Sequence, residues 1–173
     1  PMTNAISFQD FLSNAAEGSS KGVEIEINWQ LTNRLVWDLS YGFLDTEFSD
    51  YAFQTDDGPF DISGRSQAHA PKYTANSAIS YTLSDALSLQ IEAEAKDEFY
   101  FSDSHDLKSE SYELIHARIE YSKNLYSIAL YGRNLSDEDY AVRGFGFAND
   151  PRDGYSSSGY TQFGEPRLFG IET

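Results

Sequence analysis

The chain has no cysteine, a single methionine, and only 12 Lys and Arg against 28 Asp and Glu. Without cysteine, disulfides, thiolate catalysis and Cys-based zinc sites are all excluded. A formal charge of −16 leaves no clustered Lys and Arg to track phosphates, so no nucleic-acid partner is expected. It equally removes the basic patch that would dock onto an anionic membrane surface. Long hydrophobic runs are missing too: no stretch of about eighteen apolar residues exists, so no transmembrane helix is present. There is no N-terminal signal sequence, and the chain opens on Pro1. A fragment or processed product is therefore expected.

What the chain does have is aromatic weight and a two-residue period. Twelve Tyr, twelve Phe and two Trp occur in 173 residues, a weighting that suits strands and membrane interfaces. In residues 22–44, Val23, Ile25, Ile27 and Trp29 alternate with Glu24, Glu26, Asn28 and Gln30. After a polar turn at Leu31–Arg34, Leu35, Trp37, Leu39, Tyr41 and Phe43 resume the pattern against Asp38, Ser40 and Gly42. Side chains alternate across a strand, so this is a hairpin with one apolar and one polar face. Helical spacing of three and four is not seen.

Further alternating runs lie at Tyr73–Leu83, Ala86–Ala95, Tyr112–Tyr121 and Leu125–Arg133, and Pro166–Thr173 begins another. The expected fold is all-β, an antiparallel up-and-down meander of about seven strands. Several approach the nine to eleven residues that a tilted strand needs to cross a bilayer. The links alternate as well. Leu31–Arg34, Ser84–Asp85 and Ser122–Asn124 are short polar turns, whereas Asp45–Pro71, Ser102–Ser111 and Ser136–Glu165 are long. Transmembrane β-barrels show this asymmetry, and Trp29, Trp37, Tyr81, Tyr121 and Tyr126 flank the short turns where an aromatic girdle belongs. A secreted antiparallel sandwich, its apolar faces packed together, shows the same alternation. The barrel reading places Val23, Ile25, Ile27, Leu39, Leu89, Ile91, Ile119 and Ile128 together on a convex, lipid-facing side.

Four segments add a resemblance. Asn134, Leu135, Ser136, Asp137 and Tyr140 resemble the Asn-Leu-(Ser/Thr)-Asp-x-x-Tyr segment on the penultimate strand of TonB-dependent outer-membrane receptors. Gly164, Pro166 and Arg167 resemble the Gly-x-Pro-Arg approach to the last strand. Gly22–Glu26 is similar to that family's Gly-Val-Glu strand start, and Ala70–Tyr73 to its Pro-led descent into a later strand. The resemblance implies that residues 1–173 are the C-terminal segment of a receptor barrel in a Gram-negative outer membrane, with no plug domain and a shortened last strand. Implied partners are outer-membrane lipid, the plug, the remaining barrel strands, the TonB complex and a small-molecule nutrient. Siderophore-bound iron leads as that nutrient, with cobalamin or oligosaccharide as alternatives. The competing function is a secreted or surface sandwich that binds carbohydrate or calcium.

Candidate sites are few, and neither a catalytic site nor a cofactor is expected. No nucleophile elbow, phosphate loop or zinc-protease motif occurs. His105, in Ser102–Asp106, lacks the multi-ligand spacing of a zinc site, and His116 falls on a polar strand face. Asp56, Asp57 and Asp61, and Asn149, Asp150 and Asp153, offer oxygens suited to calcium but match no twelve-residue loop; exposed acidic loops are ordinarily just hydrated. Asn134-Leu135-Ser136 is formally a glycosylation sequon, discounted at a bacterial strand-to-loop junction. Arg143, Arg152 and Tyr155, among Phe145, Phe147 and Tyr160, are the expected ligand contacts. Guanidinium and phenol groups suit chelate carboxylates and sugar rings alike. The competing reading pairs the two Arg with nearby Asp and gives the aromatics to an outer girdle.

Overall fold

A computed structural model describes residues 17–55, 58–147, 150–156 and 158–173. Seven strands form one antiparallel sheet: β1 (Glu17–Thr32), β2 (Leu35–Asp50), β5 (Tyr73–Ser84), β6 (Leu87–Lys96), β9 (Tyr112–Lys123), β10 (Tyr126–Arg133) and β13 (Leu168–Glu172). Each pairs with the next in that order. Three two-stranded ribbons stand outside it: β3 (Ala52–Thr55) with β4 (Gly58–Asp61), β7 (Phe99–Tyr100) with β8 (Lys108–Ser109), and β11 (Ala141–Phe147) with β12 (Ser158–Phe163). Among the described residues no helix is long and apolar enough to cross a membrane, which says nothing of strands.

The register carries the sequence alternation across the whole sheet. Directly opposed residues share a face, and Ile27 opposes Leu39, Trp37 opposes Ile79, Ile79 opposes Ile91, Leu89 opposes Ile119, and Tyr121 opposes Ile128. The eight residues expected on one side all stand there. The other face carries rows such as Asn28, Asp38, Ala78, Glu92 and His116. A concavity of about 680 Å³ opens on this polar side, lined by Glu92, Glu94, His116, Arg118 and Tyr131, so the apolar face is the convex one.

That apolar face is uncovered. Val23, Ile25, Trp29, Ile79, Ile91, Ile119, Ile128 and Ile171 are all exposed. Half-exposing one aliphatic side chain to water forfeits about 1 kcal/mol. Roughly a dozen such residues would consume a typical domain's net stability of about 5–15 kcal/mol. No second sheet packs on this face among the described residues, which disfavours the sandwich alternative.

The turns share one end. Short links lie at Asn33–Arg34, Asp85–Ala86 and Asn124–Leu125, with Asn124 at φ 57°; Asn tolerates this left-handed region better than most residues. The long links, 51–72, 97–111 and 134–167, gather at the other end and hold the ribbons. The apolar core is concentrated there: Phe48, Ile62, Ala70, Phe99 and Phe101 are buried.

Two boundaries differ from the sequence reading. β1 and β2 run on through Glu17–Lys21 and Asp45–Asp50, where the apolar alternation fades and Phe48 is covered by the long links. The Asn134–Tyr140 segment lies just beyond β10. Asn134 turns the chain at φ 47°, which ends the strand.

Candidate functional site

The long links form a connected cap built on Arg65. The turn at 62–65 folds back onto β2: Gly64 N–H donates to Phe48 O (2.7 Å) and Phe48 N–H to Arg65 O (3.0 Å). This aims the Arg65 side chain, only 8% exposed, into the 101–107 segment. Its Nη2 donates to Ser102 O (2.7 Å), and its Nη1 to Asp106 Oδ1 (2.8 Å) and His105 O (3.3 Å). The guanidinium lies 4.2 Å from the Tyr100 ring centroid, a cation–π contact strengthened by desolvation. A buried cation must be paired and hydrogen-bonded. Arg65 meets this at all but Nε, which lacks an acceptor. Asp103 accepts from Ala68 N–H (3.0 Å), and His69 N–H donates to Tyr100 O (2.8 Å), fastening the same two segments twice more. Lys108 lies 4.5 Å from the Tyr100 ring, and its hydrogen bond to Glu98 (3.0 Å) raises its pKa.

The β11–β12 ribbon rests on this assembly by a glycine face. Gly144 opposes Thr161, and Gly146 opposes Gly159. A Cβ at Gly144 would collide with the Phe101 ring, and one at Gly159 would come within 2.9 Å of the Leu107 side chain. At Gly144 only a residue without a Cβ allows the ring to lie so close, while at Gly159 the Leu107 methyls would have to shift. Ser109, fully buried, places its Oγ 3.0 Å from Ala141 O and 2.8 Å from Glu110 O, tying β8 to the ribbon's base. The opposite face displays Arg143, Phe145, Phe147, Tyr160 and Gln162. Phe145 stacks on Tyr160 at 5.6 Å and meets Phe147 edge-on at 5.5 Å.

Of the expected ligand contacts, Arg143 stands on that displayed face opposite Gln162. Arg152 and Tyr155 lie at the ribbon's tip, where a 3-10 turn (Pro151–Asp153) is capped by Asp150. The strand from Arg143 to Phe147 spans roughly 13 Å at about 3.3 Å per residue, so the three do not form one cluster. Arg152 Nη2 and Nε bind Asp150 Oδ2 (2.6 and 3.1 Å), and Nε also reaches Oδ1 (2.9 Å). The expected competing pairing therefore holds for Arg152, although its side chain is 88% exposed. The Arg152 bond holds the Asp150 carboxyl below its usual range. Tyr155, at φ 63°, is exposed, and its N–H donates to Asp150 O (3.0 Å).

The calcium reading draws no support from what is described. Asp150 is committed to Arg152, and Asp61 is held by Ser63, whose side-chain hydroxyl and then backbone N–H (2.9 Å) lower its pKa. Asp56, Asp57 and Asn149 lie outside the described residues. Among the described residues no group of three or more His, Asp or Glu could hold a metal ion. His105 Nδ1 accepts from Leu107 N–H (3.3 Å), shaping its loop. His116 Nδ1 accepts from Asn134 N–H (3.2 Å), with Nε2 3.5 Å from Glu94. Asn134, 1% exposed, donates to Glu138 O (2.9 Å) and Glu165 O (3.0 Å) and accepts from Glu138 N–H (2.9 Å). It thereby closes the base of the last long link.

Sequence reasoning missed Arg65, Tyr100 and Phe101. Arg65's partners lie 37 to 41 residues away, beyond any local pattern.

Residues 2–135 match the family described as TonB dependent receptor-like, beta-barrel. The pesticin receptor of Yersinia pestis is 25% identical over 166 residues, covering 94% of this chain and 22% of that protein. The solved ferric yersiniabactin uptake receptor FyuA from Yersinia pestis superposes with a TM-score of 0.72 at 24% identity, over 93% of this chain and 24% of that one. The siderophore receptor PiuA from Acinetobacter baumannii superposes at 0.70 with 20% identity, over 89% and 21%. The chain thus spans between a fifth and a quarter of the length of these relatives.

Proposed function

The chain belongs to the TonB-dependent receptor family through its β-barrel domain, and from that premise we propose that residues 1–173 are one part of the wall of an outer-membrane receptor. The observation that supports this most is the uncovered apolar face of the seven-stranded sheet, the kind of face that lipid covers. Its edge strands, β1 and β13, need neighbours, because unpaired backbone groups in hydrocarbon cost several kcal/mol each. The remaining barrel strands supply them. The polar concave side faces the lumen and the plug domain, and the TonB complex energises the whole protein from its plug side. The relatives are receptors rather than enzymes, and no catalytic role is assigned here.

The nutrient we propose is an iron–siderophore complex, since FyuA and PiuA are described as a ferric yersiniabactin uptake receptor and a siderophore receptor. The capped end is the extracellular one, and its ribbon contributes one wall of the ligand pocket. Arg143 with the Phe145–Tyr160 stack supplies a cationic, flat surface for an anionic aromatic chelate. Arg152 and Tyr155 contribute at the tip.

The test is uptake by the complete receptor, expressed in a strain lacking other iron receptors. Radiolabelled ferric catecholate, phenolate and hydroxamate chelates are compared with cobalamin. Import of a ferric chelate dependent on TonB supports the reading. Cobalamin import alone, or chelate import that persists without TonB, contradicts it.

A further inference from the structure

We propose that Arg65 is a positioning residue for the β11–β12 ribbon: it holds the 101–107 segment on which the ribbon rests, and so fixes where Arg143, Phe145 and Tyr160 are presented. The inference rests on the ribbon being a ligand wall, but it concerns a residue remote from that wall. Arg65 reaches the ribbon only through the 101–107 segment: among the described residues its hydrogen bonds, ion pairs and ring contacts go to Phe60, Tyr100, Ser102, Asp103, His105 and Asp106.

Each link is a specific contact. The Arg65 fork draws together Ser102 O, His105 O and Asp106, with Tyr100 beneath the guanidinium. These bonds fix both ends of the segment whose Phe101 and Leu107 form the platform, and Phe101 N–H closes it by donating to Leu107 O (3.0 Å). Phe101 is buried at 5% exposure because Gly144 lies against its ring, while Leu107 meets Gly159 on the partner strand. Two glycines on neighbouring strands thus seat the ribbon on two side chains of one segment. A ribbon of two strands is marginal alone, so its orientation depends on that platform.

Arginine suits the post in a way lysine does not. Its planar fork presents several donors in fixed directions and stacks on an aromatic ring, whereas an ammonium is a point charge on a flexible stem. Lysine retains the charge near Asp106 and a cation over Tyr100, but cannot hold Ser102 O and His105 O together.

The experiment uses the complete receptor in lipid, carrying a nitroxide at Gln162 on the displayed face or at Ser88 on the wall. Arg65→Gln is expected to increase nitroxide mobility at Gln162 and leave Ser88 unchanged. It should weaken binding of the imported ferric chelate about tenfold, with surface abundance and uptake at saturating chelate preserved. Arg65→Lys should give an intermediate spectrum and affinity. Phe101→Leu, which leaves the Arg65 bonds and alters only the platform, should also loosen Gln162. An unchanged Gln162 spectrum in both Arg65 variants overturns the proposal. Loosening at Gln162 with unchanged chelate affinity supports the positioning role and removes the ribbon from the ligand pocket, so the two readings fail separately.

Discussion

Ile79 and Ile91 stand directly opposite one another on β5 and β6, and each leaves nearly half its surface uncovered, 46% and 47%. The pair lies in mid-sheet, flanked by Trp37 across β2 and Ala117 across β9. Isoleucine is among the residues most often fully buried in soluble domains. An uncovered isoleucine pair amid other apolar side chains marks a face whose solvent is not water.

Charge should therefore be tolerated unequally at neighbouring positions. Ile91→Arg puts a cation on the lipid face, at about 2–4 kcal/mol near the bilayer midplane. Glu92→Arg changes the lumen, where water and polar partners are available. Assembly of the complete receptor, read as heat-modifiable mobility and surface abundance, should fall sharply for the first and little for the second. Equal tolerance would contradict the assignment of faces.

Asn134 should control how firmly the last long link is closed. Asn134→Gly keeps the backbone at φ 47° but strips the bonds to Glu138 and Glu165. Leaving such buried groups unsatisfied costs roughly 1–3 kcal/mol. Limited proteolysis between 136 and 165 should accelerate by about tenfold or more while the barrel stays assembled, because cleavage tracks the open population. Asn134→Ala should be faster still, having added left-handed strain of roughly 1–2 kcal/mol.

The wall was legible in the sequence because one physical constraint, a face in lipid and a face in water, acts on every membrane-crossing residue. Leu89, Ile91 and Ala93 against Gln90, Glu92 and Glu94 state it plainly. Where β1 and β2 pass beyond that constraint, Gly18, Ser19 and Ser20 oppose Phe48, Glu47 and Thr46, and the period vanishes although the strand continues. The cap was less legible. Arg65 is held by carbonyls at Ser102 and His105, and any residue type supplies a carbonyl. Gly144 and Gly159 sit in a long link without periodicity, and what they accommodate, Phe101 and Leu107, lies some forty to fifty residues away in sequence. Arg152 pairs with Asp150, two positions back, as the competing reading expects, because an exposed Arg takes a local carboxylate.

The tip of the ribbon should respond to acid with a defined sign. The bond from Arg152 holds the Asp150 carboxyl below its ordinary value of 3.8. A carboxylate whose folded pKa is depressed contributes stability that is full above its unfolded pKa and is lost as pH falls through the folded one. The tip should therefore stay capped at neutral and mildly acidic pH and open only below pH 3.8. Carboxyl-carbon NMR of labelled Asp in the receptor should show Asp150 titrating low. Arg152→Ala should move that titration up toward the ordinary value; an unmoved titration would contradict the pairing.

Replacing Arg143, Arg152 and Tyr155 together by Ala should weaken ferric-chelate binding without changing surface abundance. A tenfold loss corresponds to about 1.4 kcal/mol. Most of it should come from Arg143, which shares a face with the Phe145–Tyr160 stack, rather than from Arg152, already held by Asp150. Single variants measured by uptake at subsaturating chelate would show this order, and unaltered uptake in the triple variant would return all three residues to a structural role.

The most direct test of the lipid-facing wall is a nitroxide scan along β6, one label at a time from Leu87 to Lys96, in the complete receptor reconstituted into lipid. Collisions with oxygen, which concentrates in hydrocarbon, and with a water-soluble nickel chelate are read at each site. Leu87, Leu89, Ile91, Ala93 and Ala95 should be oxygen-rich and nickel-poor, and Ser88, Gln90, Glu92 and Glu94 should show lower oxygen accessibility, a two-residue period along the strand. Low accessibility to both reagents at the odd positions would mean that protein, not lipid, covers the apolar face, and would contradict the account.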